Sequence, residues 1–310
     1  MRELLAERRQ IGLTLCQAGL SMVDSLASTL RARIDTRPPG HSVFALIDMA
    51  GLSHLDQAPR IHSEIRKAGA VSVLRDERPD ALLATPWLLS LPEDVSSRLE
   101  ARTCEWALRG PAVTWLVSNL PLNSLADRLR RRAEAELPDT HPVLLRHFDP
   151  RVLPELTQVL NQTQRHAFLA LGHEWLYLDR NHALQGVALT HAGDVDAFDA
   201  PLLLNDQQFA TLLAASEIDQ VMPELARAAP IEFMQLTAKQ RVKLTRQCLS
   251  LAASWHLDGL ADKVMVGVLT LKLGEGFHQR PEWAPWVAEM AQQHMGLLQV
   301  IENATVETQT

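Results

Sequence analysis

Between residues 41 and 180 the chain alternates short apolar runs with amphipathic stretches, and after Asp179 the alternation gives way to helical periodicity. A short apolar run bounded by Pro, Gly or Asp marks a buried strand, whereas apolar residues every three or four positions mark a helix. The clearest run is Ser42-Val-Phe-Ala-Leu-Ile-Asp48, entered from Thr36-Arg-Pro-Pro-Gly40 and left toward Gly51. Further strands are expected at 71–74, 113–117, 142–148 and 175–178. Helices are expected near 57–67, with Ile61 and Ile65 inward, over 94–108, and from Ser124 to about 136 with Ser124 and Asp127 in capping positions. The stretch 76–93 reads as proline-punctuated. Strands alternating with helices indicate an α/β or α+β lobe with a small central sheet.

The flanks have a different pattern. Residues 2–34 read as one helix carrying Ile11, Leu15, Ala18, Met22, Leu26 and Leu30 on a stripe. Residues 181–205 read as a linker with one strand at 184–189. Beyond it, Asn205/Gln208 and Thr237/Gln240 have capping-box spacing. Stripes follow at Ile218, Val221, Met222 and Leu225, then at Val242, Leu249, Ala253 and His256, and finally at Trp286, Met290, Leu297 and Ile301. The expected organisation is an amphipathic helical arm (1–40), an α/β domain (41–180), a linker (181–205) and an all-α lobe (206–310). A chain of 310 residues has room for two domains and needs no disulfide or metal to fold.

Charge separates the two parts. Residues 1–180 hold 22 Lys+Arg and 22 Asp+Glu, so the formal charge of -7 falls entirely on the rest. An acidic half and a single Tyr argue against nucleic acid. No apolar stretch approaches the length of a membrane span. The opening Met-Arg-Glu-Leu-Leu-Ala-Glu-Arg-Arg mixes both charge signs, unlike a secretory signal, so a cytoplasmic protein is expected. Cys16, Cys104 and Cys248 are too scattered for a disulfide framework or a CxxC site.

Catalytic and ligand motifs are mostly missing. There is no GxxxxGK[ST] and no GxGxxG, and Gly51-Leu-Ser53-His54 lacks the second glycine of a nucleophile elbow. The twelve histidines form no HExxH; the nearest pairs, His141/His147 and His166/His173, show no third ligand. Asp194-Val-Asp196-Ala-Phe198-Asp199 fails as a calcium loop because Phe198 and Asn205 occupy ligand positions, and it reads as a solvated acidic loop. No metal and no cofactor is expected. Arg128, Arg130, Arg131 and Arg132 read as a solvated helix face, with a docking patch for an acidic surface as the alternative. Trp283 and Trp286 read as core residues, or else as an aromatic anchor for a partner.

Two segments carry more than periodicity: Phe44-Ala-Leu-Ile-Asp48 and Arg146-His-Phe-Asp-Pro-Arg-Val-Leu153, the second followed by Trp175-Leu-Tyr-Leu178. Together they resemble the adaptor, or effector-chaperone, family of bacterial type VI secretion, whose members share a domain of unknown function. The resemblance covers about 41–180 and continues loosely to Leu273-Gly-Glu-Gly-Phe277 and Pro281. Phe44 replaces the family's usual Tyr, and His147 is inserted before Phe148. The resemblance implies a non-enzymatic protein that binds a toxic effector and helps load it onto the VgrG spike. The motif residues Asp48, Arg146, Asp149, Arg151 and Trp175, with Trp283 and Trp286, are the candidate partner-binding or architectural positions. Asp149 is expected to cap a helix opened by Pro150, and Arg146 or Arg151 to pair with Asp48. The competing reading is a hydrolase in which Asp48, His147 and Asp149 converge at the strand ends.

Overall fold

The computed structural model describes residues 21–74, 84–91, 96–283 and 285–287. The chain divides into two compact units, Met1–Leu212 and Leu213–Thr310. Expectations that fall on residues 1–20, on most of 76–93, and on Met290, Leu297 and Ile301 lie outside the described residues.

The first unit is built on a six-stranded sheet whose strands, in spatial order, are β2 (Val71–Ser72), β3 (Pro86–Ser90), β1 (Ser42–Asp48), β4 (Val113–Ser118), β7 (Glu174–Leu178) and β8 (Leu184–Ala188). Every neighbouring pair is antiparallel, so the lobe is α+β rather than a parallel α/β sheet. β1 spans the expected residues and lies between β3 and β4, with Ala45 opposite both Leu89 and Trp115. Successive side chains of a strand face opposite ways. Val43, Ala45 and Ile47 accordingly join Trp115 and Leu176 beneath Leu26, Leu30 and Ile34 of helix 21–34, Ile61 and Ile65 of helix Ala58–Lys67, and Trp106 of helix Ser96–Arg109. Phe44 and Leu46 join Leu116 and Trp175 against Leu125 and Leu129 of helix Leu122–Arg132, Leu153 and Leu156 of helix Leu153–Val159, and Phe168 of helix Gln162–Phe168. Helices cover both faces, and this is why β1 reads as an uninterrupted apolar run instead of an alternating one.

Several local expectations are corrected. β3 went unread because Pro86 disguises it; as the strand's first residue, however, a proline is tolerated. The helix expected to reach 136 starts after Pro121, uses no side-chain cap, and ends at Arg132. Glu134–Glu136 instead forms β5, the centre of a second sheet in which β6 (Pro142–Leu144) is antiparallel and β9 (Leu202–Leu203) is parallel. The strand expected over 142–148 is therefore short. Residues 181–205 hold the expected strand as β8 and, beyond it, β9, and they fall within the first unit.

Gly51 has a packing reason. A Cβ there would lie 2.7 Å from the Pro111 carbonyl oxygen, and one at Gly110 would lie 2.7 Å from the Gly51 oxygen. The two backbones touch, so Gly51 serves contact between segments and not a nucleophile turn.

The second unit is helical. Both capping boxes form, at Asn205/Gln208 before helix Asp206–Ala228 and at Thr237/Gln240 before helix Ala238–Ser254. Val221 and Leu225 are buried with Phe233 of helix Pro230–Met234, as their stripe predicts. The stripe placed on Ala253 and His256 is displaced. Helix Ala238–Ser254 ends before His256, whose φ is 57°, and its buried positions are Val242, Leu244, Thr245, Cys248 and Ala252. Helix Leu260–Leu273 and the turn at Phe277–Gln279 complete that core through Val266 and Phe277.

Candidate functional site

The segment 146–153 is laid out by two backbone constraints. Leu145 N–H donates to Ala133 O at 2.8 Å, and the turn that follows is closed by Val152 N–H and Leu153 N–H donating to Asp149 O at 3.0 and 3.1 Å. Arg146 and His147 then take opposite roles. The Arg146 guanidinium reaches the end of β1 and pairs with Asp48, a carboxylate with no exposed surface. The other Asp48 oxygen accepts from Ala50 N–H at 3.1 Å and caps the short helix Met49–Leu52. Burial raises the Asp48 pKa even though Arg146's charge and hydrogen bond favour the ionised form; the nearby Asp149 charge adds to the rise.

Asp149 is itself buried. Its carboxylate accepts from Arg151 N–H at 2.9 Å and from Arg151 Nε and Nη2 at 3.0 and 2.7 Å. It closes a turn rather than capping a helix, because the following helix begins after Val152 and the proline in its first turn is Pro154, not Pro150. Arg180 extends the series, pairing with Glu155 at 3.2 Å and donating to Arg151 O at 3.4 Å. Asp48, Arg146, Asp149 and Arg151 thus form one framework. The expected Asp48 pairing falls to Arg146, while Arg151 goes to Asp149.

His147 lies inside the core with no exposed surface. Its ring meets Phe148, Phe168 and Trp175 edge-on at 5.4, 5.8 and 5.6 Å between centroids. Burial lowers its pKa to about 4, against the hydrogen bond to Leu129 O, and the Arg132 charge lowers it further. The ring is neutral at pH 7, so Nε2–H donates to Leu129 O at 2.9 Å. Trp175 is a core residue as well, with Nε1–H donating to Thr114 Oγ1 at 2.9 Å. The three residues of the hydrolase reading divide accordingly: the two aspartates share the ion-pair framework, and the histidine is enclosed by aromatic rings.

The arginine cluster departs most from expectation. Arg128 and Arg132 are buried, at 7% and 0% exposed. Arg132 clamps Asp196 through Nη1 and Nη2 at 2.9 and 2.8 Å and donates to the carbonyls of Phe168, Ala167 and Arg128. Arg131 reaches Asp196 and Phe198 O, and Arg128 reaches Gly193 O at 2.5 Å. The acidic loop read as solvated is instead bound to this chain's own arginines. Burial disfavours the ionised Asp196, but the Arg132 hydrogen bonds and charge, with Phe198 N–H, outweigh it and hold the carboxyl below its usual range. Asn119 fixes the loop's start through paired bonds with Ala192, at 2.9 and 3.2 Å. Between the loop and the start of helix Leu122–Arg132 lies a cleft of about 500 Å³.

Trp283 and Trp286, in the second unit, are half-buried and packed on its core, with ring centroids 6.3 Å apart and Trp283 edge-on to Phe277 at 5.0 Å. Cys104 and Cys248 are buried free thiols, pushed up to about 12 and about 11 by desolvation. Among the described residues no three His, Cys, Asp or Glu side chains gather to hold a metal ion, and no helix is long and apolar enough to cross a membrane. One surface feature had no sequence signal. Leu144 and Leu203 are 54% and 60% exposed, standing opposite Glu134 and Glu136 on the outer face of the small sheet.

No curated protein and no solved structure matches the chain significantly. Residues 43–167, which run from β1 through the 146–153 motif to helix Gln162–Phe168, match the family described as Domain of unknown function (DUF4123).

Proposed function

We propose that this protein is a binding module, an adaptor that holds a type VI secretion effector and helps load it onto the VgrG spike. Support comes from the resemblance of Phe44-Ala-Leu-Ile-Asp48 and of the 146–153 motif to that adaptor family, and from the domain match over the same residues. The observation that carries a protein-binding role is the outer face of the small sheet. The motif's charges are spent on ion pairs within the chain, whereas Leu144 and Leu203 stand open on the two outer strands of that face, with Glu134 and Glu136 of β5 between them. Such a surface suits a segment that sets apolar side chains on either side of a basic one.

The test is a tagged pull-down from the native bacterium, read by mass spectrometry, beside the double variant Leu144→Thr/Leu203→Thr. Recovery of a spike protein and one large toxin by the wild type, lost in the variant at unchanged melting temperature, is the expected result. A wild-type protein that comes down alone at high yield overturns the adaptor reading. Capture undiminished by the variant removes this face from it.

A further inference from the structure

The cleft beside helix Leu122–Arg132 holds a cation without a counter-ion of its own. Arg128 lines that cleft and is only 7% exposed. Its neighbours Arg131 and Arg132 share Asp196, but among the described residues no carboxylate pairs with Arg128. Arg128 Nη2 donates to the carbonyls of Gly193 and Asp194 at 2.5 and 3.2 Å. Nη1 is enclosed and has no acceptor among the described residues. A buried charge is costly unless an opposite charge or a full set of hydrogen bonds meets it. This guanidinium has neither, and it stands in the wall of a cleft of about 500 Å³.

A second set of donors belongs to the same cleft. Pro121 and Ser124, from the first turn of the helix, line it. Pro121 offers no side-chain cap, and Leu125 N–H donates to Pro121 O at 2.9 Å. The N–H groups of Leu122, Asn123 and Ser124 take no acceptor among the described residues, as the opening N–H groups of a helix do when no cap is supplied. Ser124, Arg128 and Arg131 follow at spacings of four and three, so they share the helix face turned to the 192–196 loop. The remaining charges decide what fits. Asp196 is already clamped by Arg132, while Asp127 and Asp194 also line the cleft and disfavour a dianion such as phosphate. One negative charge on a planar group with two acceptor oxygens matches the donors that are left.

We propose that this cleft is a carboxylate-binding site, in which Arg128 Nη1, the Ser124 hydroxyl and the first-turn N–H groups of helix Leu122–Arg132 hold one carboxylate. That carboxylate belongs to a free small acid or to an acidic side chain of a bound segment. The bound anion supplies the counter-charge that Arg128 lacks, beside the positive end of the helix.

NMR titration of the full chain at constant ionic strength tests this, read at the Leu122–Ser124 amides and at Arg128 Nε–H. Acetate represents the free acid, N-acetyl-Gly-Glu-Gly-amide the acidic segment, and the same peptide with Gln the neutral control. Saturable shifts with a carboxylate and none with the Gln peptide are expected. Saturation by acetate and peptide alike makes the source a free acid; saturation by the peptide alone makes it a bound segment. Ser124→Glu, at an exposed position where the charge also favours the helix, supplies a carboxylate from the chain itself and should weaken binding by about tenfold. Arg128→Gln should abolish it, and Ser124→Glu carries the test if that variant misfolds. Equal response to the Glu and Gln peptides overturns the proposal, as does tighter binding of inorganic phosphate than of acetate. Absence of saturation by either carboxylate, or binding unchanged in a folded Ser124→Glu, overturns it too.

Discussion

His147→Phe isolates a single buried proton site. In the unfolded chain this histidine titrates near 6.5, while in the folded core burial holds it at about 4. A group whose folded pKa is depressed binds fewer protons when folded, so its effect is nil above the unfolded value, and stability falls as pH drops from 6.5 toward 4. The gap is about 2.5 in pH at 1.36 kcal/mol each, so about 3 kcal/mol of stability is lost across that window. Phenylalanine keeps the ring among Phe148, Phe168 and Trp175 but removes the donor to Leu129 O, an expected cost of about 1–3 kcal/mol at pH 7. The informative quantity is the wild-type minus variant difference in urea-unfolding free energy, measured at intervals from pH 7.5 to 4. Asp196 and Glu64, with lowered values, and Asp48 and Glu100, with raised ones, titrate in both proteins and cancel in that difference. The difference should shrink or reverse by about 3 kcal/mol as pH falls. Parallel curves, or an NMR titration of the His147 ring near 6.5, would refute the argument.

Three further outcomes follow from the charged clusters and the open surfaces. Arg132→Met takes the bidentate partner from the buried Asp196, leaving the longer Arg131 contact as its one ion pair among the described residues, and should cost about 3–5 kcal/mol in chemical denaturation, with the 192–198 loop becoming protease-sensitive first. Asp149→Ala removes three acceptor contacts with Arg151 and should cost about 1–3 kcal/mol, more than a helix cap alone, by the same measurement. Loss of partner capture at unchanged stability would make Asp149 a contact residue instead. Leu144→Thr/Leu203→Thr, on exposed positions, should leave the melting temperature within about 1–2 °C while abolishing capture.

What the sequence made legible was local. β1 could be read to the residue because five consecutive apolar side chains are buried on alternating faces, and both capping boxes because donor and acceptor lie three residues apart. β3 stayed hidden because its first residue is a proline, and proline excludes a strand only from positions where its missing N–H is needed. The Asp48–Arg146 pair, 98 positions apart, was legible only through the motif resemblance, which sets the two segments side by side.

The arginine cluster shows where such reading ends. A run of Arg128, Arg130, Arg131 and Arg132 looks solvated because an arginine is rarely buried without a counter-charge, and nothing within a helical turn supplies one of sufficient strength. Arg130 does pair locally with Glu134 and stays near the surface. Arg132 finds its carboxylate 64 positions away, in a loop which, considered alone, looked equally solvated. Each half looks solvated within its own neighbourhood, yet two opposite charge clusters in one chain can neutralise each other. The formal count anticipates this only weakly, since residues 1–180 are balanced without the loop. The pairing ties a basic helix to an acidic loop across the cleft between them, so that Arg128, Arg131, Arg132 and Asp196 are engaged within the chain. On the proposed adaptor reading, recognition falls to the uncovered Leu144–Leu203 face, where the salt dependence of affinity comes from Glu134 and Glu136 between the leucines.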